Sequence, residues 1–108
     1  MPGTRNNTEY QLVVEFAESG PDFFRRVADL ELLLNDQLES GEVDGNDVGP
    51  GVINLFVITK QPEECFQELM NYFEDAQLEL SAAAYRDSRT EAFTRLWPAN
   101  DQTVFELK

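Results

Sequence analysis

The sequence predicts a single α+β domain whose strands and helices follow the order β-α-β-β-α-β. Three features predict it: an alternating apolar stretch near the start, two amphipathic helical patterns, and a strongly apolar run between them, Val52–Thr59. The chain has 108 residues, of which 42% are hydrophobic, and this fits one domain with one modest core. Residues 1–8 are expected to form a flexible N-terminus, and residues 88–108 a C-terminal extension.

The first strand is predicted from Tyr10 to Phe16, where apolar and polar residues alternate. A period of two places successive side chains on opposite faces, which is typical of a half-buried strand. Tyr10, Leu12, Val14 and Phe16 are expected to face the helices, and Val13 is expected to face away.

The first helix is predicted to run from about Asp22 to Glu39. Pro21 is tolerated only at or before the first turn, and Gly41 lies just past the last turn. Apolar residues recur at three- and four-residue steps and form one stripe, so we expect this helix to be well covered. The stripe comprises Phe23, Phe24, Val27, Leu30, Leu34 and Leu38, and Leu33 widens it.

The stretch Glu42–Thr59 is predicted to hold the central strands. Asp44-Gly45 is a strong hairpin signal, and Gly49-Pro50-Gly51 is a second break close by. The run Val52–Thr59 is β-branched and aromatic, which predicts a strand buried on both faces or nearly so.

The second helix is predicted to begin at Pro62, because proline fits the first helical position. Glu63 and Glu64 then complement the positive end of the helix dipole. Its apolar face carries Phe66, Leu69, Met70 and Phe73, and the helix is expected to end near Asp75.

The fourth strand is predicted over Gln77–Asp87, although the alanine-rich middle of this segment could instead continue the helix. Residues 88–98 are predicted to form a helical turn or an irregular segment closed by Pro98. Thr103–Leu107 is predicted to be a short final strand or an extended tail.

This order of elements is the split βαβ, ferredoxin-like arrangement. Right-handed crossovers would place the first and third strands in the centre of an antiparallel sheet and both helices on one face. The other face is left open, so it must be covered by the C-terminal extension, by a second subunit or by water.

The chain is strongly acidic, with 21 acidic and 8 basic residues, a net charge of −13 and a pI near 4.1. Such a field repels phosphate backbones and anionic membranes, so we expect no nucleic-acid or membrane partner. It suits a basic protein partner, or simply high solubility.

The single cysteine permits no internal disulfide, and we find neither a membrane-length apolar run nor a signal-peptide core. These features predict a cytoplasmic protein.

Catalytic chemistry is constrained because the chain contains no histidine. Cys65 lies in the first turn of the second helix, but neighbouring glutamates oppose a lowered thiol pKa, which favours a structural cysteine over a reactive one. Asp44–Gly49 partly matches a calcium loop, yet Val48 and Leu55 stand where ligands are needed, and a turn explains the same residues. We therefore predict no catalytic, cofactor-binding or metal-binding residue, and no enzyme.

The apolar residues that the helix face does not need point to a protein interface. Three possibilities stay open: the extension covers the open face within one monomer, the face forms a homodimer, or it binds another protein. The competing class is a small-ligand binder or an enzyme that uses the open face. Trp97 follows Arg95 by two residues and would suit either an interface anchor or a plug at the edge of the core. The candidate interface residues are Val13, Phe56, Ile58, Phe93 and Trp97.

The segment Val43–Phe56, followed by Pro62 and the second helix, resembles a group of small bacterial proteins without assigned function. In that group a DG-x-D-x-G-x-G-x-x-N-L-F hairpin lies between two strands of a ferredoxin-like fold. Some similar small acidic proteins resemble immunity proteins that neutralise toxins. The resemblance implies the same fold in a bacterial protein and, as one possible function, an inhibitor that masks a basic toxin.

Overall fold

A computed structural model describes residues 8–17, 21–49, 51–87, 89–90 and 92–98. The predicted order β-α-β-β-α-β is confirmed, and a fifth strand follows it. Neither helix of this described part of the chain is long and apolar enough to cross a membrane. The elements are β1 (Tyr10–Phe16), α1 (Pro21–Gln37), β2 (Glu42–Gly49), β3 (Val52–Thr59), α2 (Pro62–Asp75), β4 (Ala82–Asp87) and β5 (Thr94–Trp97).

The strands form one antiparallel sheet in the order β2-β3-β1-β4-β5. β1 pairs with β3 on one side and with β4 on the other, so the first and third strands both lie inside the sheet, as expected. The architecture is consistent with a ferredoxin-like α+β fold. The fifth strand, paired with β4, makes the strand order different from that of a plain four-stranded sheet.

Both helices pack on the same face of the sheet, which we call the helix face. The ring of Phe16 meets Phe23 of α1 at 5.9 Å and Phe73 of α2 at 5.4 Å between centroids, both in edge-to-face geometry. The central strand therefore contacts both helices at one point. Seven of the predicted core residues on the helices are buried, namely Phe23, Val27, Leu30, Leu34, Phe66, Leu69 and Phe73, while Leu38 and Met70 are partly buried.

The other side of the sheet, which we call the open face, is not bare. Val13 is fully buried there in a small cluster with Ala82 and Ala84, and Phe56 and Phe93 pack against the cluster. β1 is therefore buried on both faces rather than half-buried as predicted. Phe93 precedes β5, so the C-terminal extension supplies part of the cover. The predicted final segment Thr103–Leu107 lies outside the described residues.

The hairpin predicted at Asp44-Gly45 is wrong, because β2 continues through these residues to Gly49. The register shifts between Val43 and Gly45, which is a β-bulge, and Gly45 takes a φ of +125°. A bulge and a turn both use glycine for its tolerance of positive φ, so the local sequence does not separate them. The chain reverses between Gly49 and Val52, which pair directly.

The fourth strand begins at Ala82 rather than Gln77. Gln77 takes a positive φ of 58° just after α2, and the Leu78 amide donates to the Phe73 carbonyl at 2.9 Å. Leu78 is consequently buried in the core as part of a helix-ending turn instead of a strand. The segment predicted to be a helical turn or irregular contains β5, because it pairs with β4.

The first helix is shorter and less covered than predicted. It ends at Gln37 rather than near Glu39, and Phe24 and Leu33 are exposed rather than part of the buried stripe. The helix thus has more apolar side chains than the core accommodates.

Replacing Gly41 with alanine should destabilise the fold. A Cβ at this position would lie 2.9 Å from the Cys65 Sγ and 2.9 Å from the Ile58 carbonyl oxygen, so the backbone must shift. We expect Gly41→Ala to lower the free energy of unfolding by about 1–3 kcal/mol in urea titrations. Gly49→Ala is the control, because its Cβ would meet only the Val52 Cγ2 at 3.5 Å. Equal losses in the two variants would contradict the packing at Gly41.

Candidate protein-interaction surface

Large apolar side chains that stay exposed are concentrated on α1 and β2. Among the described residues, the exposed ones on these elements are Leu32 at 69%, Val48 at 52%, Phe24 at 41% and Leu33 at 40%. A fifth, Trp97 at 38%, lies on β5. Single exposed leucines are ordinary on protein surfaces, but four on two adjacent elements are a candidate contact surface.

The position of Leu32 follows from helix geometry. It stands two residues from both Leu30 and Leu34, which are buried, so it lies about 200° around the helix from them. Leu32 therefore points away from the core. The apolar stripe does not include Leu32, and its place outside the stripe is readable in the sequence.

The same region is acidic and carries no basic residue between Val27 and Thr59. The Glu31 Oε1 accepts a hydrogen bond of 2.6 Å from the Asn46 Nδ2, which ties α1 to β2. We call these two elements with their exposed side chains the α1–β2 surface. From Val27 onward, the carboxylates of this surface and of the turn between its two elements are Asp29, Glu31, Asp36, Glu39, Glu42, Asp44 and Asp47, and all but the partly buried Glu31 are exposed.

The two arginines of α1 lie in its first turns, before Val27, and the other described arginines lie outside α1 and β2. Arg25 lies 3.6 Å from Asp22 in the first turns of α1, and the Arg26 Nη2 donates to the carbonyls of Ala76 and Gln77 beyond α2. Arg89 binds Asp87 at 2.8 Å, and its guanidinium lowers the pKa of that carboxyl to about 2. From Val27 to its end, α1 carries only negative charges, and so does all of β2.

The end of α1 next to this surface is held by a network of hydrogen bonds, which we call the polar junction. The Glu68 carboxylate accepts hydrogen bonds from the Glu39 amide at 3.1 Å, the Ser40 amide at 2.9 Å and the Ser40 hydroxyl. The Thr59 hydroxyl donates to the Ser40 carbonyl at 2.6 Å and accepts from the Gln61 amide at 3.0 Å. These bonds join α1, β3 and α2 at one point.

Beside the polar junction lies an open recess of about 790 Å³. It is lined by charged groups and by apolar side chains from α1, β2, β3 and the residues that follow α1 and β3, including Leu34, Leu38, Glu39, Glu42, Ile58 and Lys60.

Among the described residues, no group of three or more histidine, cysteine, aspartate or glutamate side chains is arranged to hold a metal ion. The residues of the calcium-loop pattern, Asp44–Gly49, lie in the extended strand β2.

The five predicted interface residues do not share one place. Val13, Phe56 and Phe93 come together on the open face, where Val13 has no exposed surface. Ile58 lines the recess at the end of α1. Trp97 lines a groove of about 530 Å³ with Met70, Leu78 and Leu80, at the edge of the helix-face core.

Comparisons with known proteins leave the resemblance of the central hairpin untested. A scan against protein-family models, a search of curated proteins and a search of solved structures each gave no match.

The polar junction should make stability depend on pH through Glu68. Desolvation acts to raise the Glu68 pKa, but hydrogen bonds from Ser40 and Glu39 together lower it below its ordinary value. A depressed folded-state pKa contributes stability that is present above the unfolded pKa and is lost as the pH falls. We expect Glu68→Gln to cost about 1 kcal/mol near neutral pH, and the difference from wild type to shrink below about pH 4.

Urea titrations across this pH range measure the difference. Glu74→Gln is the control, because Glu74 is exposed in the last turn of α2 and its side chain has no hydrogen bond among the described residues. A Glu68→Gln penalty that stays constant down to pH 3 would contradict the role of the ionised carboxylate.

Cys65 should be an unreactive thiol. It has no exposed surface, and burial raises its pKa despite hydrogen bonds with Ser40 and Thr59 that act to lower it. We expect labelling by a disulfide reagent near neutral pH to be slow in the native protein and fast in denaturing urea. The matched control is Glu64→Cys in a Cys65→Ala background, which places an exposed thiol in the same helical turn. Native Cys65 reacting as fast as that control would overturn this prediction.

Proposed function

We propose that this chain is a non-catalytic protein-binding domain that acts through contacts with another protein or with a second copy of itself. The observation that carries the proposal is the group of exposed apolar side chains on the α1–β2 surface, led by Leu32. Selection for solubility alone would favour polar residues at such positions, whereas binding requires apolar contact area.

The chemistry of the described residues supports contact rather than reaction. The chain has no histidine, and its one thiol is buried in the core. The carboxylate at the polar junction, Glu68, is occupied by hydrogen bonds from the turn after α1. These groups hold the fold together, and the exposed apolar side chains remain for a partner.

The two kinds of partner would use different faces. Two copies joined through the α1–β2 surface would bring carboxylates against carboxylates, which is unfavourable. A homodimer would instead use the open face, where Phe56 and Phe93 are partly exposed and Val13 lies beneath. An inhibitor that masks a basic toxin, as the central hairpin resemblance implies, is a narrower form of the same proposal and is favoured by the base-free stretch on α1 and β2.

A binding experiment with Leu32→Asp tests the proposal. The full chain is immobilised, and proteins from the source cells are captured by wild type, by Leu32→Asp and by Trp97→Asp. We expect a protein that wild type retains and Leu32→Asp loses, because a charge replaces the most exposed apolar contact. Melting temperatures of the three chains show that the fold is kept.

Light scattering on the free chain at low and high salt accompanies this test. A dimer mass that grows with salt would assign the function to self-association through an apolar face, since salt screens the repulsion between two subunits of net charge −13. A monomer at both salt concentrations, together with no captured partner that either variant loses, would refute the proposal. A partner lost with Trp97→Asp alone would move the binding surface to β5.

A further inference from the structure

We infer that the α1–β2 surface binds a basic amphipathic protein segment, which places apolar side chains on Leu32 and Leu33 and lysines or arginines beside Asp29 and Asp36. The inference rests on the proposed function and names the chemistry of the partner. It comes from two features of the same surface, its exposed leucines and its unneutralised carboxylates.

The spacing on α1 puts the charges around the leucines. Residues three or four apart on a helix are neighbours on its surface. Asp29 therefore lies one turn before Leu32 and Leu33, and Asp36 lies one turn after them. An apolar pair with a carboxylate at each end matches a partner that carries the reverse pattern, apolar residues flanked by cations.

The carboxylates are available for such a partner. Within the described part of the chain, Asp29, Asp36 and Asp47 have no salt bridge and no side-chain hydrogen bond, and all three are exposed. The basic residues of α1, Arg25 and Arg26, contact Asp22 and the turn after α2 instead. Exposed charges at the rim of an interface raise the association rate and select partners of opposite sign.

The negative charge of this surface disfavours a second copy of the chain, a nucleic acid or an anionic membrane as its partner. A second copy would meet the same carboxylates with its own, and a nucleic acid or an anionic membrane would be repelled. The polar recess at the end of α1 extends the acidic field, because Glu39 and Glu42 line it with Lys60 as its one described base. A basic protein segment fits both the sign of the field and the apolar pair.

An NMR titration of the full, isotope-labelled chain with two synthetic peptides tests the inference. The first is a helical peptide with leucines along one side and lysines along the rest, and the second has every lysine replaced by glutamate. We expect the lysine peptide to shift the amide signals of residues 24–36 and 46–48, and the glutamate peptide to leave them unchanged.

Three variants test whether peptide binding depends on the α1–β2 surface or only on the net charge of the protein. Leu32→Ser should weaken lysine-peptide binding roughly tenfold. Asp29→Asn with Asp36→Asn should weaken it roughly three- to tenfold and reduce its salt dependence. Glu74→Gln with Asp75→Asn changes the net charge by the same amount on the exposed end of α2 and should leave binding unchanged.

The outcomes separate this inference from the proposed function. Shifts spread over α2, or equal weakening by the Glu74/Asp75 control, would overturn the inference by showing that net charge alone attracts the peptide. Binding of both peptides at α1 would also overturn it, and the surface would then be apolar without charge selection. If neither peptide perturbs α1, the inference fails, whereas Leu32-dependent capture of a cellular protein decides the proposed function independently.

Discussion

The fold depends on the burial of β1 between two layers. Its residues from Leu12 to Phe16 are buried on both faces, and its backbone pairs with β3 and β4 at once. Phe16 contacts a phenylalanine of each helix, while Val13 lies on the opposite side in a small cluster against which Phe93 packs. β3, β4 and both helices contact this strand, whereas β2 pairs with β3 and β5 pairs with β4.

The limited number of α1 side chains that fit in this core explains the candidate binding surface. Four side chains of α1, spaced along one stripe, fill the space over the sheet, and the remaining apolar residues of the helix face outward. Leu32 and Leu33 lie outside the buried core, and Asp29 and Asp36 beside them make no salt bridge within the described part of the chain. Such residues raise the tendency to associate without adding core packing, which is the physical reason for interpreting them as contacts for a partner.

The polar junction fixes where α1 ends and where β2 begins. Glu68 holds the amides of the turn after α1, and Gly41 lets the backbone pass close to the buried Cys65. This cluster lies next to the surface that carries Leu32, and its hydrogen bonds involve neither Leu32 nor Leu33. Stability and binding can therefore be changed separately, which is what variants of the outer face of α1 require.

The sequence by itself determined the two helices, most of their buried faces and the run of β3, because periodicity and proline placement are local properties of the chain. The structure decided the features that depend on distant pairing. Asp44-Gly45 became a bulge because β3 continues alongside it, and Thr94–Trp97 became a strand because β4 offers an unpaired edge. The base-free acidic stretch was readable in the sequence, but the link from Glu31 to Asn46 that makes α1 and β2 one surface required the folded chain. Side chains far apart in sequence meet only once the sheet is assembled, so the periodicity of either segment alone could not reveal that contact.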